Sequence, residues 1–227
     1  MAVRKEMISV LNDFASCKTG TIRIGMPVIR GVEMFTHIFP AFHEKYPLIR
    51  LEPIEISYSQ RFQKITSGEI DLAFITLTQD DRTGDEYYPI LDEEIYLAVP
   101  RSHKRLEELM GYEEIDLSLV KNEDFVMINK GTLLRRIAAN LFREAGYYPH
   151  IIMETSSYQT IVSIVSYGAA LSIVPQNSTV DSSGVVYLPI KGRPFRTFCA
   201  THKKGLYMSQ PLKDFLNMSI AYWQQKS

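Results

Sequence analysis

Two serines, Ser57 and Ser156, have the spacing of residues that could bind a ligand. Each follows an extended apolar run, and each is followed three residues later by a glutamine, Gln60 and Gln159. That S-x-x-Q pattern is a capping box, the mark of a helix start. The first N–H groups of a helix lack intrahelical partners and, with a hydroxyl beside them, suit a carboxylate or another anion. Taken singly, each serine is explained better by plain N-capping than by ligand binding. A third helix start, at Lys130, Gly131 and Thr132, adds another set of donors.

The usual catalytic constellations are missing. The chain has no G-x-S-x-G elbow, no G-x-x-x-x-G-K loop and no H-E-x-x-H pair. His37 and His43 stand six apart, on different faces of a helix, and neither has a carboxylate at zinc-ligand spacing. Acidic pairs such as Asp80-Asp81 and Glu93-Glu94 read as solvated charge rather than an acid/base couple. No catalytic residue, metal ligand or cofactor is therefore expected.

The elements that position the serines follow from periodicity. Residues 46–76 read as strand, helix, strand: Ile49, Leu51 and Pro53 alternate with Arg50, Glu52 and Ile54, then Phe62 and Ile65 form a short helical stripe that Gly68 ends. Leu72, Ala73, Phe74 and Ile75 form an apolar run suited to a buried parallel strand. In such a βαβ unit the loops at the strand C-termini, near Ser57 and after Ile75, are where open α/β sheets bind ligands. Residues 154–159 (ETSSYQ) echo residues 55–60 (EISYSQ), again between a strand and a helix that stops at glycine, Gly168 in place of Gly68. The echo favours two related α/β domains.

The remaining chain fits that plan. Val3, Met7, Val10, Leu11 and Phe14 give residues 3–16 a helical stripe, either of an N-terminal helix packed on the body or of the tail of a longer one. A strand over residues 21–26 precedes a helix over 28–46, with Val32, Phe35, Phe39, Phe42 and Tyr46 on one face and Pro40 inside, where a bend or restart near Thr36 is expected. Residues 78–86 read as a surface loop, 87–91 and 94–99 as two strands, and 100–104 as a crossing between domains. Short helical pieces fill 105–120. Strands at 125–128, 150–153 and 170–174 alternate with helices at 133–145 and 156–167; strands at 185–188 and 195–201 and a helix at 209–223 close the chain.

Composition sets the outer bounds. The 227 residues are 45% hydrophobic and 22% charged, enough for one large or two small globular domains. A formal net charge of −1 provides no field for nucleic acid or an anionic membrane, which argues against this chain binding DNA alone. Two cysteines, Cys17 and Cys199, point to reduced thiols. With no apolar run of the ~18 residues a membrane span needs and no signal-peptide pattern at the start, a cytoplasmic protein is expected.

Residues 20–25 (GTIRIG), Phe39-Pro40 with Phe42 and Tyr46-Pro47, residues 68–74 (GEIDLAF) and residues 168–175 (GAALSIVP) together resemble the effector-binding domain of LysR-type transcriptional regulators, over residues 18–223. The resemblance implies a fold like the type 2 periplasmic binding proteins: two Rossmann-like α/β subdomains joined by two crossover strands, residues 18–100 with 197–227 and residues 101–196. Residues 1–17 then become the end of a linker helix, with DNA binding left to a winged helix-turn-helix absent from this chain. The implied partners are a small-molecule effector between the subdomains and further copies of the chain, as a homodimer or homotetramer, with the helix around residues 32–46 packing on a partner's helix around 156–167. Carried over by position, effector contacts fall to Met26, Pro27, Val28 and Ile29, to Ser57 and Tyr58, to Thr76 and Leu77, and to Met127, Ile128, Asn129, Thr132 and Ser156. The sequence departs from the family at Ile56, where glycine is frequent, and at Tyr58, where a small hydroxyl residue is usual. Tyr58 either narrows the pocket or stacks on an aromatic effector. The expected role is sensing of an anionic or aromatic metabolite, with a transporter's solute-binding protein as the alternative and an enzyme such as a prephenate dehydratase or a deaminase third.

Overall fold

The computed structural model describes residues 19–58, 60–82, 84–178 and 184–225. The helix and linker expected before residue 18 lie outside them. The chain divides into two compact units, Met1–Leu91 with Thr197–Ser227, and Asp92–Arg196.

In the first unit β1 (Gly20–Met26) lies between β2 (Ile49–Glu55) and β3 (Leu72–Leu77) and runs parallel to both. β3 pairs antiparallel with β9 (Phe195–His202), Phe74 opposite Ala200 and Ile75 opposite Cys199. Side chains of a strand alternate between faces, so β3 serves two cores at once. Leu72 and Phe74 join Phe198 and Ala200 under α1 (Val28–Lys45) and α6 (Gln210–Gln224). Ala73, Ile75, Leu77 and Cys199 join Ile56, Ile65 and Ile70 under α2 (Arg61–Thr66). The helices following β1 and β2 thus lie on opposite faces, and the ends of β1 and β3 open between them, the topological switch point of an α/β sheet.

The apolar face of α1 is only partly the one its sequence suggests: Phe42 and Tyr46 are buried and Phe35 packs against the core. Met34, Ile38 and Phe42 form the buried row, with Phe42 edge-on to Phe215 of α6 at 5.4 Å. Val32 and Phe39 are 67% and 44% exposed. Both rows belong to one broad apolar arc, and the fit against Phe215 selects which part turns inward. No break occurs at Pro40. Thr36, whose carbonyl loses its helical donor to the proline, is exposed, so water can supply the missing bond. Pro53 is likewise tolerated because β2 is the sheet's edge strand.

The strands expected at 87–91 and 94–99 are one, β4 (Glu86–Pro100). It passes into the second unit after Leu91, and β9 returns after Arg196. Residues 100–104 are a turn inside the second unit, where the Arg101 N–H donates to the Gly184 carbonyl at 2.8 Å. In this unit β5 (Asp124–Ile128) and β6 (His150–Thr155) are parallel. The later half of β4 pairs antiparallel with β7 (Ser172–Pro175) and β8 (Val185–Pro189). Around them pack α3 (Leu106–Met110), α4 (Leu133–Glu144) and α5 (Tyr158–Ser166), with Phe125, Phe142, Ile161 and Val165 in one core. α5 ends as expected at Gly168, in the left-handed region at φ 82°.

Candidate functional site

At the open end of the first unit, the chain turns from β1 into α1 at Pro27, whose extended backbone (φ −67°, ψ 141°) caps the helix. Met26 is 4% exposed and belongs to the core, so it offers its backbone; its carbonyl accepts from the Ile56 N–H at 3.2 Å. Val28 and Ile29 open α1. Leu77, 1% exposed, is also core, while Thr76 is half-buried.

Ser57 is not the cap of α2. The helix begins at Arg61, with Gln60 in the capping position, and is only six residues long. The Ser57 N–H and Oγ instead both donate to Gln60 Oε1, at 3.3 and 3.0 Å. The glutamine reaches back as in a capping box, but the helix starts only at Arg61 and is about one and a half turns long, so the macrodipole argument for an anion at Ser57 falls away.

Tyr58 is held by a neighbouring turn. Its hydroxyl donates to Asp81 Oδ1 at 2.5 Å, tying the loop after β2 to the 3₁₀ turn Gln79–Asp81 after β3. Asp81 Oδ2 accepts from the Thr78 N–H at 2.8 Å and the Thr78 hydroxyl at 2.7 Å. Against this pair lies Arg61, 4% exposed, its guanidinium carbon 3.4 Å from the Tyr58 ring centroid and 4.0 Å from that of Phe62. Sequence reasoning missed Arg61. The signal was a charged residue four before Ile65, on the inward face of a helix whose other apolar members had been counted.

In the second unit, Met127 and Ile128 are buried core residues. Asn129 is exposed just beyond β5, where its N–H donates to the Thr155 carbonyl at 2.9 Å. Thr132 caps α4: its Oγ1 accepts from the Arg135 N–H at 3.2 Å and donates to the Asn129 carbonyl at 3.1 Å. Arg135 reaches under this turn to the Ile128 carbonyl at 3.2 Å and to Glu154 at 2.7 Å. The cap of α5 is Ser157, whose Oγ accepts from the Thr160 N–H at 3.1 Å, and not Ser156. The echo of residues 55–60 suggested the wrong serine, since β6 continues to Thr155 and leaves Ser156 as an exposed bend. Asn129, Thr132 and Ser156 nonetheless gather at one place, the C-terminal ends of β5 and β6, whose last residues Ile128 and Thr155 are in register.

Cys199 contributes no reactive thiol. It is 1% exposed, and burial pushes its pKa up to about 12.

Two α/β units connected by two strands, each with polar side chains at its parallel-strand ends, define the class of small-molecule-binding domains with the type 2 periplasmic-binding-protein-like fold. Within that class the chain belongs to the LysR substrate binding domain family, whose model matches residues 17–224. It is 28% identical over 214 residues to an uncharacterized HTH-type transcriptional regulator, YcgK, of Bacillus subtilis (strain 168), covering 87% of this chain and 65% of that protein. The chain thus spans about two thirds of that relative's length. The effector-binding domain of QuiR in complex with shikimate superimposes with a TM-score of 0.70 at 20% identity, covering 92% of this chain and 99% of the other. The regulatory domain of CcmR from Synechocystis PCC6803, in complex with 2-PG, gives 0.71 at 21% identity, covering 91% and 98%. At that identity the two structures speak to the fold. Among the described residues no helix is long and apolar enough to cross a membrane.

Proposed function

We propose that this chain senses a small acidic metabolite on behalf of a DNA-binding regulator and that it has no enzymatic activity. The polar side chains gathered at the strand ends carry the reading: Asn129, Thr132 and the exposed Ser156 after β5 and β6, and in the first unit Ser57 after β2 and Thr76 near the end of β3. Each unit contributes its own set. Shikimate and 2-phosphoglycolate, found on the two structural neighbours, are both small acids and define the range to try first. DNA contact belongs to a helix-turn-helix outside this chain, and the setting is the cytoplasm. The acid acts by favouring one of two conformational states, and it shifts that balance only by the difference in its affinity for the two.

Copies of the chain associate through α1. Val32 and Phe39 lie exposed on its outer face, and Leu48 just beyond its end is 64% exposed, an apolar surface of the kind that marks an interface. A partner's α5, followed by the 89% exposed Tyr167, is its expected counterpart.

The test is a thermal-shift and calorimetric panel of benzoate, shikimate, 2-phosphoglycolate and amino acids against neutral sugars and amines. A ligand at a hundred times its Kd stabilises the native state by about 2.7 kcal/mol, a rise of roughly 5–10 °C for a protein of this size. Stabilisation by the neutral or cationic compounds alone would refute the acidic-effector reading.

A further inference from the structure

Arg61 is placed where its helix calls for an apolar side chain. It stands one turn before Ile65, which is 1% exposed, in a core of Ile56, Ile70, Ile75 and Leu77. A buried charge is costly unless it is paired and fully hydrogen-bonded, and Arg61 is paired only at long range and is not fully hydrogen-bonded. Its Nη1 donates to the Tyr58 carbonyl. Its Nη2 lies 3.5 Å from Asp81 Oδ1, well beyond the ~2.7–2.9 Å of a charge-assisted bond. Its Nε is shut away from solvent with no acceptor in reach. Asp81 meanwhile accepts close bonds from the Tyr58 hydroxyl and from Thr78, at 2.5 to 2.8 Å, nearer than the guanidinium. The unsatisfied side of the guanidinium is its Nε–Nη2 edge, the fork that takes a carboxylate or phosphate in two parallel hydrogen bonds. Tyr58 and Phe62 hold the guanidinium by ring contacts at 3.4 and 4.0 Å.

We propose that Arg61 is the anchor for the acidic group of the effector, a carboxylate or a phosphate, in the first unit. The inference rests on the effector reading above and adds to it the residue that makes the acid obligatory. Asp81 acts as a loose internal counter-ion, and the acid takes the edge that Asp81 does not fill. Because that edge is covered in this structure, the acid reaches it when the turn carrying Tyr58 shifts. Tyr58 therefore selects for acids small enough to pass, or flat enough to lie against its ring.

The experiment measures the affinity of benzoate, shikimate, 2-phosphoglycolate and inorganic phosphate by calorimetry for the wild-type chain, Arg61→Gln and Arg61→Lys, with a melting curve for each. The expected result is an acid that binds wild type and loses at least tenfold in affinity in Arg61→Gln. Arg61→Lys should lose nearly as much, since it keeps the charge but not the fork. Should Arg61→Gln fail to fold, Arg61→Lys alone supplies the comparison. An acid bound equally by wild type and variant, with only the melting temperature lowered, would make Arg61 a structural clamp and overturn this inference while leaving the effector reading intact. No acid binding to the wild type would overturn both.

Discussion

Replacing Ser157 by alanine should lower stability, and replacing Ser156 by alanine should not. Ser157 Oγ accepts from the Thr160 N–H at 3.1 Å at the start of a nine-residue helix. That helix buries Ile161, Val162 and Val165, so fraying at its start is felt by the core. Loss of a serine cap to alanine costs about 0.5–2 kcal/mol. For a protein of this size that corresponds to a fall in Tm of roughly 2–6 °C. Ser156 is an exposed bend before the cap, and its alanine variant should melt within about 1 °C of wild type, the range of surface changes within ±0.5 kcal/mol. Ser57→Ala belongs with Ser156→Ala, because the Ser57 hydroxyl donates to an exposed glutamine and caps nothing. The assay is urea denaturation of the three variants at equal m-value, followed by calorimetry with whichever acid binds wild type. Ser57→Ala and Ser156→Ala should weaken that acid without loss of stability. A stability loss in Ser156→Ala equal to that in Ser157→Ala would refute the assignment of the cap, and with it the separation of cap from ligand contact.

Gly168→Ala should destabilise by about 1–2 kcal/mol, because an L-residue is strained at φ 82° and the added Cβ would lie 2.9 Å from Ser102 Oγ; Gly84→Ala, which meets nothing within 4 Å, is the control in the same melting series. Cys199 should resist N-ethylmaleimide and hydrogen peroxide in the native chain and react once guanidinium unfolds it, read by peptide mass mapping. Rapid native labelling would contradict a thiol buried to 1% exposure with its pKa at about 12. Hydrogen bonds from Ser118 and Lys191 hold the Asp116 carboxyl down to about 2. A carboxyl lowered on folding contributes stability that is fully present above its unfolded value of about 3.9 and is lost as pH falls through that value toward 2. Asp116→Asn should therefore lower stability at pH 5–7, and the wild-type and variant curves should draw together as pH falls from about 4 and meet near pH 2 in acid titrations followed by fluorescence.

The sequence foretold elements wherever a local rule was also the tertiary rule. Ala73 and Ile75 alternate with Leu72 and Phe74, and a strand buried on both faces needs all four apolar whichever way it turns. The glycines at 68 and 168 end helices because the left-handed turn is a property of the backbone itself, at φ 72° and 82°. Reading faltered where the outcome depended on a distant partner. The inward row of α1 was settled by Phe215, some 170 residues away in the chain, and Pro40 passed unnoticed in the helix because Thr36 faces water. The two expected strands between 87 and 99 merged because β4 serves both units in succession, which no local pattern records.

The residues proposed to face the ligand divide along the same line. Thr132 could be read as a cap from its position alone, and it is one. Ser57 and Ser156 had the same motif, yet neither caps a helix, because the turn before α2 is longer than the motif assumes and β6 runs further than its apolar residues suggest. That failure strengthens their case as ligand contacts. A hydroxyl engaged in capping spends its acceptor on the backbone, whereas Ser156 stands exposed beside Asn129 and Thr132 with its hydroxyl turned to no structural duty that the fold requires. Arg61 is the converse case. It has the contacts of a structural residue, buried between two rings and beside a carboxylate, and still leaves its Nε without an acceptor and its Nη2 3.5 Å from Asp81. A fold optimised for stability alone would place leucine there, and well-packed apolar replacements of buried ion pairs are often neutral or stabilising. The charge at position 61 is accounted for when an acid completes it.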